Sequence, residues 1–327
     1  MWIDIYKGLA ILLVVIGHLK ISEELYRFIY SFHMYAFFFI SGVCYSKKNV
    51  RYRECVRKNI VRLYVPYLLF AFLWNLTWLI WKYGKLFCCY ISLKNIISVV
   101  IDYPLIDTVS IGPAWFLCAM LIVKCMYELL YRCFEEKKGR ISIACIVLFG
   151  FGYVCRGIRI PFSITSALTA FLFFNVGDMA KNILVKIQQR KKIVAFIKSG
   201  VCVVLVSISA QLSDKNLILA SNALPGNVIL MLSASMIGCF LLVYLSNMIV
   251  GMRCLQMLLT YLGKNSLIIM GVHSEIRVVC YFILEHLGMQ IDQKTVYIVF
   301  VLTIISCVFI IECMDKWCYR IGRRYSM

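Results

Sequence analysis

The segment DIYKGLAILLVVIGH, from Asp4 to His18, is typical of a membrane-spanning helix except at three polar positions. Within a bilayer a titratable side chain costs several kcal/mol, so it normally faces a bundle interior or a wet cavity and has a function. On an α-helix, Lys7 and His18 project from one face about 16 Å apart along the axis. Asp4 shares that face, three residues before Lys7. The segment therefore predicts functional side chains inside a membrane helix bundle.

The composition extends this interpretation to the whole chain. Of the 327 residues, 62% are hydrophobic and 16% are charged, and the mean hydropathy is +0.84. A soluble domain of this length is far less apolar, whereas about 20 apolar residues cross a ~30 Å bilayer core. We predict one all-α domain, residues 1–327, that forms a bundle of about ten transmembrane helices. The predicted spans are 8–26, 28–46, 63–81, 113–131, 141–155, 163–180, 199–213, 227–249, 262–284 and 296–312, and the stretch 95–112 is a candidate re-entrant piece.

The distribution of Lys and Arg residues along the chain predicts its orientation in the membrane. The net charge is +19, and Lys and Arg concentrate in alternate loops, with seven in residues 47–62 against one acid, Glu54. By the positive-inside bias, both termini are expected in the cytoplasm. The first apolar run lacks a strongly positive leader and a small-residue cleavage site, so we expect it to remain as a span. No nucleic-acid-binding motif accompanies the basic loops, so the bilayer, not nucleic acid, is the expected partner.

The cysteines do not have metal-site spacing. There are 16, without a Cys-x-x-Cys pair, and most lie singly in apolar segments, where free cysteine behaves as a small hydrophobic residue. We therefore predict no metal site. Adjacent Cys88 and Cys89 fall in a predicted outer loop, where their oxidation state stays open.

Two further histidines occupy predicted spans. His33 lies in FHMYAFFFISG, residues 32–42, and His273 lies in SLIIMGVHSEIR, residues 266–277. Glu275 and Arg277 follow His273 closely. Because residues two apart on a helix do not face each other, Glu275 and Arg277 are expected to have partners on other helices.

Five motifs occur in order along nearly the whole chain, and with them the chain resembles the membrane-bound acyltransferase family 3. Bacterial members of that family O-acylate sugars of surface polysaccharides. The resemblance implies a multi-pass protein of the bacterial plasma membrane that transfers an acyl group, with acetyl-CoA as the expected donor and a glycan or glycolipid as the acceptor. The motifs are Asp4…Lys7-Gly8…His18; Phe32-His33-Met34 with Phe37-Phe38-Phe39-Ile40-Ser41-Gly42; Arg57-Lys58…Arg62…Pro66-Tyr67; Gly112-Pro113-Ala114-Trp115; and Gly263-Lys264-Asn265-Ser266…His273.

The resemblance implies that His18 is the essential catalytic residue, as a base or as an acyl carrier. Lys7 stands where the family has arginine, which keeps a cation but loses the planar fork. Asp4 is a candidate acid or a partner of Lys7 or a basic loop. His33 is a candidate for proton transfer or for a structural hydrogen bond. Tyr35 replaces the family's proline after this histidine, so a kink is less expected here.

The donor and acceptor residues follow from the other motifs. Arg57, Lys58 and Arg62 are the nearest equivalents of the family's Arg-x-x-Arg and are expected to bind the phosphates of coenzyme A, although membrane topology alone also predicts a basic loop. Trp115 is compatible with stacking on adenine or sugar and with an interfacial aromatic role. Ser266 and His273 are candidate acceptor contacts.

Two other functions stay open at this point. In a proton-coupled transporter or flippase, the three histidines would relay protons, but the chain shows no inverted repeat of the kind found in many transporters. The alternative is an inactive bundle that serves as a sensor, which the lysine at position 7 also permits.

Overall fold

The computed structural model describes residues 1–47, 50–83, 93–103, 112–289 and 292–324. Within these ranges the chain is helical, with a lone β-bridge between Ile218 and Ala223, which confirms the all-α prediction. The helices are α1 (Trp2–Gly17), α2 (Glu23–Tyr30), α3 (His33–Val43), α4 (Tyr52–Asn59), α5 (Val65–Tyr83), α6 (Leu93–Val100), α7 (Trp115–Cys133), α8 (Lys138–Val154), α9 (Ile164–Gln188), α10 (Lys192–Gln211), α11 (Val228–Ile249), α12 (Arg253–Lys264), α13 (Ser266–His286) and α14 (Gln293–Arg324).

Six of the ten predicted spans coincide with helices long and apolar enough to cross a membrane. These are α7, α9, α10, α11, α13 and the first part of α14. The count of ten and the cytoplasmic termini stay predictions. The cysteines whose side chains the structure describes are free thiols, and Cys88 and Cys89 lie outside the described residues. The candidate re-entrant stretch contains the short helix α6, and residues 104–111 within it are also outside the described part.

The first two predicted spans are wrong as continuous helices. The first helix ends at Gly17, with His18 as its C-cap. The polar segment that follows starts α2, because the Ser22 hydroxyl accepts a hydrogen bond from the Leu25 backbone N–H, as N-cap residues do. The second predicted span is broken at Phe32, which has φ −144° and ψ −20°. The short α2 thus connects α1 to α3.

The predicted basic loop 47–62 is also mainly helical. Residues Tyr52–Asn59 form α4, and a π-helical turn, Ile60–Tyr64, joins it to α5. The Tyr52 hydroxyl donates to the Cys125 carbonyl oxygen on α7, 3.3 Å away. A π-helical turn has i→i+5 hydrogen bonds and so contains about one residue more than an α-helical turn. It therefore changes which side chains of α4 and α5 lie on the same face.

Glycines let α3 and α9 pack backbone to backbone. A Cβ atom on Gly42 would overlap the Phe174 carbonyl oxygen, and a Cβ atom on Gly177 would overlap the Phe39 carbonyl oxygen. Small residues are the usual solution for close helix crossings in membranes, where dispersion contacts drive association. One turn away, the rings of Tyr35 and Phe173 stack with centroids 3.9 Å apart. This crossing fixes α3, and with it His33, against the centre of the bundle.

Asp102 joins the turn after α6 to the start of α9. It is fully buried, it accepts a hydrogen bond from the Ser163 hydroxyl, and its Oδ1 lies 3.6 Å from Arg159 Nη2. Burial raises the pKa of Asp102 to about 6, against the opposing effects of the Ser163 hydrogen bond and the Arg159 charge. The carboxyl group therefore keeps its proton in the folded protein at a pH where an exposed aspartate has lost it.

This shift predicts a pH-dependent stability. In the unfolded chain Asp102 loses its proton near pH 4, while in the folded protein it does so near pH 6. Between these values the folded state binds more protons, so its stability falls as the pH rises. The melting temperature in detergent should decline from pH 4 to pH 6, and Asp102→Asn should reduce that decline. The control is Asp292→Asn, at an exposed carboxylate whose pKa is lowered by hydrogen bonds from Thr295; this variant should keep the decline in melting temperature. A decline in the Asp102→Asn variant equal to that of the wild type would contradict the prediction.

Candidate active site

His18 lies where α1 ends and the chain turns towards α2. Its side chain is half-buried, and its backbone carbonyl oxygen accepts a hydrogen bond from Arg277 Nη1 at 2.7 Å. Among the described residues, no group forms a hydrogen bond with its ring nitrogens. The backbone of His18 is thus held from α13, while its imidazole has no hydrogen-bond partner among the described residues.

His273 is the nearest ionisable neighbour of that imidazole. The two ring centroids lie 5.1 Å apart, with the planes tilted by 42°. His273 is fully buried, and its Nδ1 lies 2.9 Å from the Ile269 carbonyl oxygen and 3.1 Å from that of Met270. Since carbonyl oxygens only accept, Nδ1 carries the hydrogen. The Ser274 hydroxyl is 3.4 Å from Nε2, which acts as the acceptor.

His33 completes the group through Tyr30. The Tyr30 ring lies 4.7 Å from the His33 ring and 6.4 Å from the His18 ring, centroid to centroid. His33 is buried, and its Nδ1 donates to the Ile29 carbonyl oxygen at 2.9 Å. The same argument as for His273 places the hydrogen on Nδ1 and leaves Nε2 as an acceptor. We call these four residues the histidine cluster.

Sequence reasoning named the three histidines but missed Tyr30. The available signal was its position, three residues before His33, which places both on one side of a helical turn. The chain contains 20 tyrosines, however, and nothing in the sequence marks this one. Its ring also stacks on Tyr26, with centroids 3.9 Å apart.

The structure does not bring Asp4 and Lys7 to the cluster. Both lie near the start of α1, and Lys7 is about 16 Å from His18 along the helix axis. The Asp4 carboxylate lies 3.7 Å from the amino-terminal nitrogen of Met1. Asp4 and Lys7 are therefore at the opposite end of α1 from the histidine cluster and do not contact it.

Three predicted donor-binding cations share one exposed surface. Arg57, Lys58 and Arg62 line a groove of about 280 Å³ together with Glu54 and Val61. We call this surface the basic face. It follows the Val43 end of α3 along the chain, whereas His33 is at the start of that helix, about 15 Å away along the axis. Among the described residues, no contact joins the basic face to the histidine cluster.

Trp115 and Ser266 each begin a helix. Trp115 is the first residue of α7, is buried and packs edge-to-face on Phe116, with ring centroids 6.2 Å apart. Ser266 is the first residue of α13, about 10 Å before His273 along the helix axis. The described contacts bring neither residue to the basic face or to the histidine cluster.

Comparison with known proteins identifies the family. The acyltransferase 3 model, an acyltransferase domain, matches residues 1–313. No curated protein and no solved structure gives a match. Across the described ranges, no group of three or more His, Cys, Asp or Glu side chains is arranged to hold a metal ion. Since the matched residues make up most of the chain, and the helices include six that can cross a membrane, the chain belongs to acyltransferase family 3 and is a membrane acyltransferase.

Proposed function

We propose that the protein transfers an acetyl group from acetyl-CoA to a hydroxyl group of a cell-surface polysaccharide or glycolipid precursor, in the plasma membrane of a bacterium. One observation carries the proposal. Among the described residues, the His18 imidazole has no hydrogen-bond partner, whereas the Nδ1 atoms of His33 and His273 are bonded to backbone carbonyls. Of the three histidines, His18 is thus the one with both ring nitrogens available to a substrate.

The chemistry suits a free imidazole. The acceptor hydroxyl oxygen attacks the thioester carbonyl carbon, and His18 takes the hydroxyl proton as the C–O bond forms. The C–S bond then breaks, and the thiolate of coenzyme A takes the proton from His18. The products are an ester and free coenzyme A. A neutral His273 next to His18 is favourable, because a second positive charge there would oppose the imidazolium that forms.

His18 has a second possible role as a nucleophile. In that mechanism the imidazole takes the acetyl group first and passes it to the acceptor. Incubation with labelled acetyl-CoA in the absence of acceptor distinguishes the two roles, because only an acetyl-imidazole leaves label on the protein.

The basic face suits the donor. Coenzyme A carries a diphosphate and a 3′-phosphate, and arginine forms strong, often bidentate hydrogen bonds with such groups. Arg57, Lys58 and Arg62 are exposed on one helical surface with a groove beside them. We propose that the phosphates bind there and that the pantetheine arm extends along the bundle towards His18.

Neutralising the basic face should weaken donor binding selectively. The triple variant Arg57→Gln, Lys58→Gln, Arg62→Gln is expected to raise the KM for acetyl-CoA by about tenfold or more, since each lost charged hydrogen bond costs about 1.5–3 kcal/mol when fully formed. The KM for the acceptor should not change. The control is Lys138→Gln with Arg140→Gln, at exposed cations in the first turn of α8; an unchanged donor KM in the triple variant would exclude this face as the donor site.

The test of the function itself uses the purified wild-type protein in detergent. Release of the coenzyme A thiol from acetyl-CoA is followed with and without a surface-glycan extract of the host, and labelled acetyl is sought in the glycan. Glycan-dependent thiol release with label in the glycan supports the proposal. Accumulation of substrate in sealed vesicles with no acetylated product would instead indicate transport, and acyl-CoA binding without turnover over a panel of donors would indicate a sensor.

A further inference from the structure

Arg277 is a membrane-embedded cation without an acidic partner. It is half-buried on α13, and its described hydrogen bond runs from Nη1 to the His18 carbonyl oxygen at 2.7 Å. Its Nε is buried and has no hydrogen-bond partner. No described carboxylate lies within ion-pair distance of the guanidinium group. Glu275 acts on the guanidinium group electrostatically, but no described ion pair neutralises the positive charge at this position.

Three other cations of the described ranges each contact a buried acid. Arg132 contacts Glu128 at 2.7 Å, Lys181 contacts Asp178, and Arg159 lies 3.6 Å from Asp102. A charge removed from water without a partner is costly, and in membrane proteins such residues commonly mark substrate pathways. Arg277, by contrast, has no such acidic partner among the described residues. An anion from outside the described chain can supply one.

The nearest acids do not serve as that partner. Glu275 is two residues away on α13, on a different side of the helix, and its Oε2 has no hydrogen-bond partner of its own. Glu23, at the start of α2, is held by Arg27 at 3.2 Å and by the Asn216 amide at 2.9 Å. The side of Arg277 that faces His18 is thus without a carboxylate.

A second cation and several aromatic rings adjoin Arg277. Tyr281 lies one turn further along α13, and its hydroxyl accepts the Lys20 backbone N–H at 3.3 Å. The Lys20 Nζ lies 5.2 Å from the centroid of the Tyr281 ring. Tyr30, stacked on Tyr26, borders the same region through its contact with His18. Two cations and three tyrosines therefore lie in the region of Arg277 and His18.

We propose that Arg277 and Lys20 bind an anionic group of the acceptor, a carboxylate or a phosphate, and that this contact places the acceptor hydroxyl at His18. The inference rests on the proposed function, because it concerns the acceptor on which His18 acts. Among the described residues, Nη2 of Arg277 has no hydrogen-bond partner, and a guanidinium nitrogen donates strongly to the oxygens of a carboxylate or phosphate. The tyrosine rings supply apolar surface for the sugar.

A binding experiment tests the site without relying on turnover. The purified wild-type protein is titrated with inorganic diphosphate, D-glucuronate and neutral D-glucose, and the thermal stabilisation gives an apparent Kd for each. One of the anions should bind at least tenfold more tightly than glucose. Diphosphate binding that Arg277→Gln and Lys20→Gln both weaken identifies a phosphate-bearing acceptor, and glucuronate binding that both variants weaken identifies an acidic sugar. Equal Kd values for the anions and glucose would overturn the proposal.

Variants locate the site. Arg277→Gln should weaken anion binding by about 10- to 100-fold, the range for loss of a charged hydrogen bond, and Arg277→Lys should weaken it less. Lys20→Gln leaves the Arg277–His18 contact intact and should weaken the binding of the same anion. The control is Arg156→Gln, an exposed arginine that lies over Tyr153. Unchanged anion binding in both Arg277→Gln and Lys20→Gln would overturn the proposal, whether or not either variant transfers acetyl groups.

Kinetics separate this inference from the function on which it rests. With acceptors fractionated by charge, the wild-type protein should acetylate the acidic fraction, and Lys20→Gln should raise the acceptor KM and leave the acetyl-CoA KM unchanged. Equal transfer to neutral glycans would refute the anionic acceptor while the acyltransferase function stands. Absence of transfer to every fraction would refute the function, and the titration above would still decide whether the anion site exists.

Discussion

Replacing His18 by asparagine is expected to lower acetyl transfer by about 10²–10⁴-fold, the usual contribution of a positioned general base. Asparagine keeps a polar side chain of similar size at the C-cap of α1, and the Arg277 hydrogen bond to the backbone carbonyl does not depend on the ring. The fold should therefore survive, and the loss should appear in kcat. The measurement is glycan-dependent thiol release, with the melting temperature recorded in parallel.

The matched control is His286→Asn, at an exposed histidine that ends α13 and whose Nδ1 donates to the Phe282 carbonyl oxygen. This variant should retain wild-type activity. Full acetyl transfer by a stably folded His18→Asn protein would exclude His18 as base and as acyl carrier. It would shift attention to His33 and His273, whose Nε2 atoms are the remaining acceptors in the cluster.

The second large effect is expected at the crossing of α3 and α9. Gly177→Ala places a methyl group against the Phe39 carbonyl oxygen, and neither backbone can move away without separating the helices. Overpacking of this kind costs about 1–3 kcal/mol, and occasionally more. We expect a clearly lower melting temperature in detergent, together with reduced activity, because α3 carries His33.

The control for this variant is Gly150→Ala in α8. A Cβ atom there would meet nothing within 4 Å, and alanine favours a helix by about 1 kcal/mol relative to glycine. The two identical substitutions should thus shift the melting temperature in opposite directions. Equal stability of the Gly177 variant and the wild type would show that the two backbones are not in tight contact.

The sequence was most informative about long apolar helices and least informative about their breaks. The runs that became α10 and α11 stand out by hydropathy alone. The break at Phe32 does not, because its neighbours FIYSFHMYAFF are apolar on both sides. There the backbone follows tertiary contacts: the ring of Phe32 lies against Gly238 of α11, where a larger residue would leave it no room. Local propensity cannot reveal such a contact.

The candidate site was predicted residue by residue but not as an arrangement. Helical spacing places His18 on a face of α1, and family resemblance singles it out, but neither indicates that His273 is its neighbour from the far end of the chain. For Arg277, the expectation of a partner on another helix was correct in part. The partner is a backbone carbonyl group of His18, and a main-chain contact leaves no pattern of side-chain types for sequence reasoning to detect.

The separation of the basic face from the histidine cluster has a consequence for the proposed reaction. With the donor phosphates bound at the basic face and the acceptor bound at the histidine cluster, the pantetheine arm must carry the acetyl group across the distance between them. Under this proposal the two large substrates do not need to meet. Spent coenzyme A can then leave from the basic face while the acetylated acceptor leaves from the histidine cluster.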